Sequence, residues 1–165
     1  MITRRQVLAA TAAVTTLGAG GVLAHLPAPA PGRKLFSAAE VDVVAALAEA
    51  FFPVGNPIGV VGNAVDVATE LDRLLVDDLD HVVAPVFRHL LRGIEYGSLA
   101  THGARFSALE PLAREEVLAD WAEPGNVPRR MAYEVLKTCV GWAYFNAPQV
   151  RAALGWEAEC HAGAA

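Results

Sequence analysis

Asp77, Asp78, Asp80 and His81 are the densest gathering of metal-capable side chains in this 165-residue chain. They follow one another where a loop runs into a helix, so they point in different directions. The calcium-loop pattern of spaced oxygen ligands closed by a glutamate is missing. Capping the next helix, whose positive end favours carboxylates, is the stronger reading. His81 and His89 lie two helical turns apart, ~12 Å, too far to share one metal. Ser37, Ser98 and Ser107 lack a Gly-x-Ser-x-Gly elbow, and His102 and His161 have no nucleophile in a recognisable motif beside them. Glu115 and Glu116 are adjacent and diverge by about 100° on a helix, so they form no catalytic pair. Gly18-Ala19-Gly20-Gly21 has no strand ahead of it, and no complete dinucleotide or phosphate loop occurs elsewhere. The sequence therefore assigns no catalytic, cofactor-binding or metal residue, and no cofactor is expected in this chain.

The elements that carry these residues are helical. Ser37-Ala38-Ala39-Glu40 is a capping box with Phe36 and Val41 placed as a hydrophobic staple. Val44, Leu47, Ala48 and Phe51 then recur at helical spacing until Pro53. Pro53 to Gly62 reads as an irregular apolar loop. Asn63, with Asp66 three residues later, is placed to cap a second helix bearing Val67, Leu71, Leu74 and Leu75. A third helix, begun by the aspartates with Pro85 near its first turn, carries Phe87, Leu90, Leu91 and Ile94. Thr101 to Ser107 reads as a connecting loop, and Glu110-Pro111 opens a fourth helix that ends after Trp121. A fifth, strongly apolar helix runs from about Pro128 to Asn146, and Pro148 begins a short one that Gly155 terminates. No sustained alternation marks a strand, so the expected fold is all-α, a compact bundle of five to six helices.

Ahead of this lies a different segment. Arg4-Arg5, within Thr3-Arg4-Arg5-Gln6-Val7-Leu8, precedes an uncharged stretch from Val7 to Ala24. The pattern resembles a twin-arginine export signal, with Val7 and Ala9 departing from the usual phenylalanine and lysine. A plain membrane anchor is the alternative, although the stretch spans only ~27 Å and is diluted by threonine and glycine. Ala28-Pro29-Ala30 and Val22-Leu23-Ala24 are the two small-residue cleavage candidates, and Pro31 should hinder the first. An uncleaved signal would tether the chain to the membrane. Pro27 to Gly32 reads as a stiff, extended linker. The expected organisation is signal and linker start at 1–30, helical domain at 35–157 and tail at 158–165, with the protein exported to the periplasm or cell envelope.

All 18 acidic residues lie beyond residue 30, so the mature surface is acidic, which argues against nucleic acid and against an anionic membrane face. In an oxidising envelope Cys139 and Cys160 form a candidate disulfide; two unpaired thiols are the alternative. The absence of Cys-x-x-Cys disfavours thioredoxin-like chemistry and attached haem. Trp142, Tyr144, Phe145 and Trp156 crowd the last quarter. Core packing accounts for most of this, yet Trp142-Ala143-Tyr144-Phe145 covers more than one helix face, which points to binding rather than catalysis.

From Leu35 to Trp156 the chain resembles the gluconate 2-dehydrogenase subunit 3 family. The resemblance rests on Phe36-Ser37-Ala38-Ala39-Glu40, Phe51-Phe52-Pro53, Arg105-Phe106-Ser107-Ala108-Leu109, Trp121, Arg129-Arg130, Leu136-Lys137, the run Tyr144 to Val150, and Leu154-Gly155-Trp156. Glu110-Pro111-Leu112-Ala113 departs from the more usual Ser-Pro-Glu-Glu. The resemblance implies a non-catalytic small subunit that binds, stabilises and escorts for export a large FAD-dependent dehydrogenase of the glucose-methanol-choline class, often with a cytochrome subunit. It implies a partner surface on the last two helices and the Phe106 to Leu109 loop. Phe106, Arg129, Arg130, Trp142, Tyr144 and Trp156 are its candidate residues. The competing reading is a free-standing exported helical protein that holds a hydrophobic ligand with the Pro53 to Gly62 loop and the aromatic helix.

Overall fold

The computed structural model describes residues 26–79 and 82–156. The expected all-α class is borne out, and no strand occurs among these residues. In chain order the helices are α1 (Ala38–Phe51), α2 (Val67–Arg73), α3 (Val83–Gly97), α4 (Leu99–His102), α5 (Pro111–Ala122), α6 (Val127–Asn146) and α7 (Pro148–Ala153). Short 3-10 turns at Gly62–Ala64 and Phe106–Ala108 and a π-helical turn at Leu74–Asp78 complete the set.

Helix α1 is the hub, packing against α2, α3, α5, α6 and the Phe106–Ala108 turn. A helix with neighbours on so many sides must be apolar around most of its girth. Val43, Val44, Ala46, Leu47 and Ala48 are accordingly buried, and the alanines let neighbouring backbones approach. Its start is the expected capping box: the Ser37 side chain accepts from the Glu40 N–H, and Glu40 accepts from the Ser37 N–H at 2.8 Å.

Glu40 does more than cap. It is 4% exposed, and its two oxygens accept from Nε and Nη2 of Arg88 on α3, each at 2.8 Å. Burial works to raise the Glu40 carboxyl, but hydrogen bonds from Arg88 and Ser37 outweigh it and hold the group below the ordinary range. Asp72 on α2 plays a parallel part, accepting from the backbone N–H of Lys34, Leu35 and Phe36 at 2.8, 2.9 and 3.1 Å. Pro27 to Gly32, read from the sequence as an extended linker, is fastened as well, Arg88 Nη2 on α3 donating to Pro27 O at 2.6 Å and the Ala30 N–H to Phe36 O at 2.8 Å.

The apolar loop after α1 is ordered by polar contacts. The Asn56 side chain donates to the carbonyls of Pro53 and Val60, and the Gly62 N–H donates to Phe52 O, all at 2.8 Å. The cap of α2 is Asp66, which accepts from Thr69 N–H, whereas Asn63 sits in the 3-10 turn. Asp77 and Asp78 end the second helical segment rather than start the third: the chain widens into a π turn there. Asp77 accepts from Lys34 at 2.8 Å and Asp78 from Arg73 at 2.8 Å, and Asp80 and His81 lie outside the described residues. The stretch read as a loop from Thr101 instead closes α4, ended by Gly103 at φ +68°, and then forms the Phe106–Ala108 turn.

Candidate functional site

Helix α6 is the longest element among the described residues, and its two faces decide what it can do. Ala132, Leu136, Cys139, Val140 and Ala143 are buried on the inner face. On the opposite side Val127, Met131, Val135, Thr138, Trp142 and Phe145 follow at spacings of four, four, three, four and three. At 100° per residue these six fall within one stripe ~80° wide and ~27 Å long. Val127 is 61% exposed, Trp142 and Phe145 are 38% exposed, and Met131 and Val135 are half-buried. A soluble surface helix ordinarily turns a polar face outward. Beside the exposed Arg130, Glu134, Lys137 and Thr138, this one also turns Val127, Trp142 and Phe145 outward.

The stripe is shaped as well as apolar. At its N-terminal end Pro124, Val127, Arg130, Met131, Glu134, Val135 and Thr138 line a groove of about 270 Å³. At its C-terminal end the rings are held in place. Phe52 stacks on Tyr144 with centroids 3.7 Å apart, and Phe145 meets Phe52 edge-on at 5.6 Å. The Arg73 guanidinium lies 5.6 Å from the centre of the Trp142 ring. Trp142 is thus fixed by a cation on one side and half-open on the other, a low-entropy aromatic of the kind that dominates protein interfaces.

The residues expected to form a partner surface divide into two groups. Trp142, Arg129, Arg130 and Trp156 stand at the surface, Trp156 being 58% exposed with Arg151 5.8 Å from its ring centre. Arg129 is engaged, its Nη1 donating to Asp120 at 2.7 Å, whereas Arg130 on the groove wall has no ion-pair partner among the described residues. Phe106 and Tyr144 are corrections: both are fully buried and present nothing to a partner. Phe106 is a core ring whose turn is pinned by Glu95, which accepts from the N–H and Oγ of Ser107 at 2.9 and 2.8 Å. The Tyr144 hydroxyl donates to Val60 O at 2.6 Å, tying α6 to the loop after α1, and burial pushes its phenol up. Leu109, at the end of the loop expected to meet a partner, is also buried.

Sequence reading missed Val127 and Thr138 and assigned Met131 and Val135 to the apolar helix without a face. The signal was present: folding the 127–145 sequence onto a helical wheel yields two apolar stripes on opposite sides. Cys139 is 7% exposed, and burial pushes its thiol up to about 11. Cys160, its candidate partner, lies outside the described residues, as do Arg4 and Arg5 of the export signal. No helix among the described residues is long and apolar enough to cross a membrane.

The fold and this surface define a class: a small helical body with exposed apolar side chains along the longest of the described helices. The chain belongs to the gluconate 2-dehydrogenase subunit 3 family, whose model matches residues 38–161. The family is that of a dehydrogenase complex subunit. No curated protein and no solved structure matches the chain.

Proposed function

We propose that this chain is the accessory small subunit that binds, stabilises and escorts for export a large FAD-dependent dehydrogenase of the glucose-methanol-choline class. The observation that carries the reading is α6, which leaves Val127, Trp142 and Phe145 exposed on its outer side, in a chain whose family is named for a dehydrogenase subunit. Covering the stripe would remove Val127, Trp142 and Phe145 from water, and each large apolar side chain so buried contributes on the order of 1–2 kcal/mol. In this reading the chemistry and the FAD belong to the large subunit, with a cytochrome subunit completing electron transfer. The twin-arginine route accepts folded cargo, so Arg4 and Arg5 on the small subunit would export the assembled pair to the periplasm or envelope.

The competing reading, a hydrophobic-ligand carrier built on the Pro53 to Gly62 loop, draws no support from the cavity beside it. That cavity has Pro53, Val54 and Pro111 on its walls but also Glu49, Arg114 and Glu115, with an Arg114–Glu49 ion pair at 2.6 Å. An apolar ligand would desolvate those charges.

The test is gentle purification of the tagged full-length chain from its own host, with a visible spectrum and mass identification of co-eluting chains. A flavin band with a large dehydrogenase chain is expected; a colourless, solitary protein overturns the reading. Val127→Glu with Thr138→Glu places two carboxylates in the stripe at exposed positions on the groove wall. The pair should lower recovery of the large chain at least ten-fold, equivalent to ~1.4 kcal/mol, with unchanged circular dichroism. Arg130→Glu should weaken recovery in the same direction.

A further inference from the structure

We infer that residues 27–36 are a folded clasp that sets the proteolytic boundary of the chain, so that a peptidase removing the N-terminal segment leaves Pro27 and everything after it. The boundary rests on the export reading above; the clasp does not.

The clasp is built from a turn and two anchors. Ala30-Pro31-Gly32-Arg33 is a β-turn closed by the Arg33 N–H donating to Ala30 O at 3.0 Å. Proline at its second position and Gly32 at φ +79° make it type II, a conformation the Pro-Gly pair favours. The Ala30 N–H in turn donates to Phe36 O at 2.8 Å, and Phe36 is fully buried. The second anchor is Arg88, 6% exposed, whose Nη2 donates to Pro27 O at 2.6 Å while the same guanidinium grips Glu40. Arg33 extends the fastening sideways, its Nη2 reaching both oxygens of Asp66 at 3.0 Å.

A peptidase needs a stretch of backbone that is free to lie extended across its active site, so susceptibility follows hydrogen bonding rather than sequence alone. At Ala28-Pro29-Ala30 the bond to be cut is Ala30–Pro31. Its carbonyl already accepts the turn hydrogen bond, and the N–H of the same residue is committed to Phe36. Hydrolysis there would need the turn opened, and it would separate Pro27 from Arg88. The other small-residue pattern, Val22-Leu23-Ala24, precedes every one of these contacts. The clasp therefore argues against cleavage at Ala30–Pro31, and Val22-Leu23-Ala24 lies outside the described residues.

Hydrogen exchange on the purified full chain, read by mass spectrometry, tests the clasp whatever the fate of the signal. Pro27, Pro29 and Pro31 carry no amide hydrogen, so a peptide over 27–33 reports on Ala28, Ala30, Gly32 and Arg33. Ala30 and Arg33 should exchange at least ten-fold more slowly than in a synthetic peptide of the same sequence; equal rates overturn the clasp. The intact mass of the chain recovered from the envelope then tests the boundary. A first residue at or ahead of Pro27, an uncut chain included, agrees with it, and a chain beginning anywhere after Pro27, at Pro31 above all, overturns it. Retention in the cytoplasm would remove the export reading alone, because exchange at Ala30 and Arg33 is still measured.

Discussion

Arg88→Met isolates the buried ion pair at the centre of the molecule. Methionine keeps the apolar stem of arginine and deletes the guanidinium that gives Glu40 two hydrogen bonds of 2.8 Å and Pro27 O one of 2.6 Å. What remains is a carboxylate 4% exposed, still held by the N–H and Oγ of Ser37 at 2.8 Å each. Removing one member of a buried pair ordinarily costs about 3–5 kcal/mol. The surviving Ser37 donors place this case at the lower end, ~3 kcal/mol, which lowers Tm by roughly 10 °C in a domain of this size. Urea unfolding followed by far-ultraviolet circular dichroism measures the loss. The pH dependence separates electrostatics from packing. In the wild type Glu40 titrates below its ordinary value of 4.5, so its contribution is complete above that value and is lost as pH falls through the lower native one. Without Arg88 a large lowering influence is gone while burial still raises the group, and protonation moves to higher pH. The gap between variant and wild type should narrow from pH 7 toward pH 4. Adding Glu40→Gln to Arg88→Met should recover part of the loss, since the orphaned charge is then removed. A loss under 1 kcal/mol at pH 7, or a gap independent of pH, would refute the assignment.

Two further predictions address the loop and the thiol. A Cβ on Gly62 would stand 1.9 Å from the carbonyl oxygen of Ala48 and 2.2 Å from its carbon, so Gly62→Ala must pry the loop from α1. It should cost ~3 kcal/mol or more. Gly141→Ala, where the nearest outside atom is 4.0 Å away in mid-helix, should instead stabilise by ~0.5–1 kcal/mol. Equal melts for the two variants would show that the close approach is not there. In Cys160→Ser protein the remaining thiol, Cys139, is buried with its pKa pushed up to about 11, so at pH 8 it should resist a disulfide reagent until the chain unfolds. Stoichiometric labelling of the native protein within seconds would contradict this.

The helices were legible because their signals are local. Ser37 and Glu40 lie three residues apart and cap α1 in the chain alone, Pro111 marks the first turn of α5, and Gly155 at φ +64° ends the short helix after Pro148. Local signals also misled where two neighbours competed for one role. Asn63 and Asp66 are both good caps, and only packing of α2 on α1 and α6 selects Asp66. The aspartates after Leu75 suit a helix start, yet Lys34 and Arg73 hold Asp77 and Asp78 at the end of the preceding one. Pro31-Gly32 carried a turn signal that the proline-rich composition around it obscured.

The candidate site shows the same division. Apolar residues at helical spacing in the sequence by itself determined that residues 127–146 form a helix, and the crowding of rings determined that more than one face would be aromatic. Which rings face outward was decided in three dimensions: α1, α2, α3 and α5 cover the side bearing Leu136 and Tyr144 and leave Val127, Trp142 and Phe145 uncovered. Phe106 and Tyr144, which the family resemblance placed on the partner surface, are core in three dimensions. The union of Glu40 with Arg88, 48 residues away, has no trace in the chain, because a hydrogen bond is specified by where two backbones cross and not by sequence distance. Periodicity needs only the geometry of one helix, whereas burial and pairing need every helix in place at once.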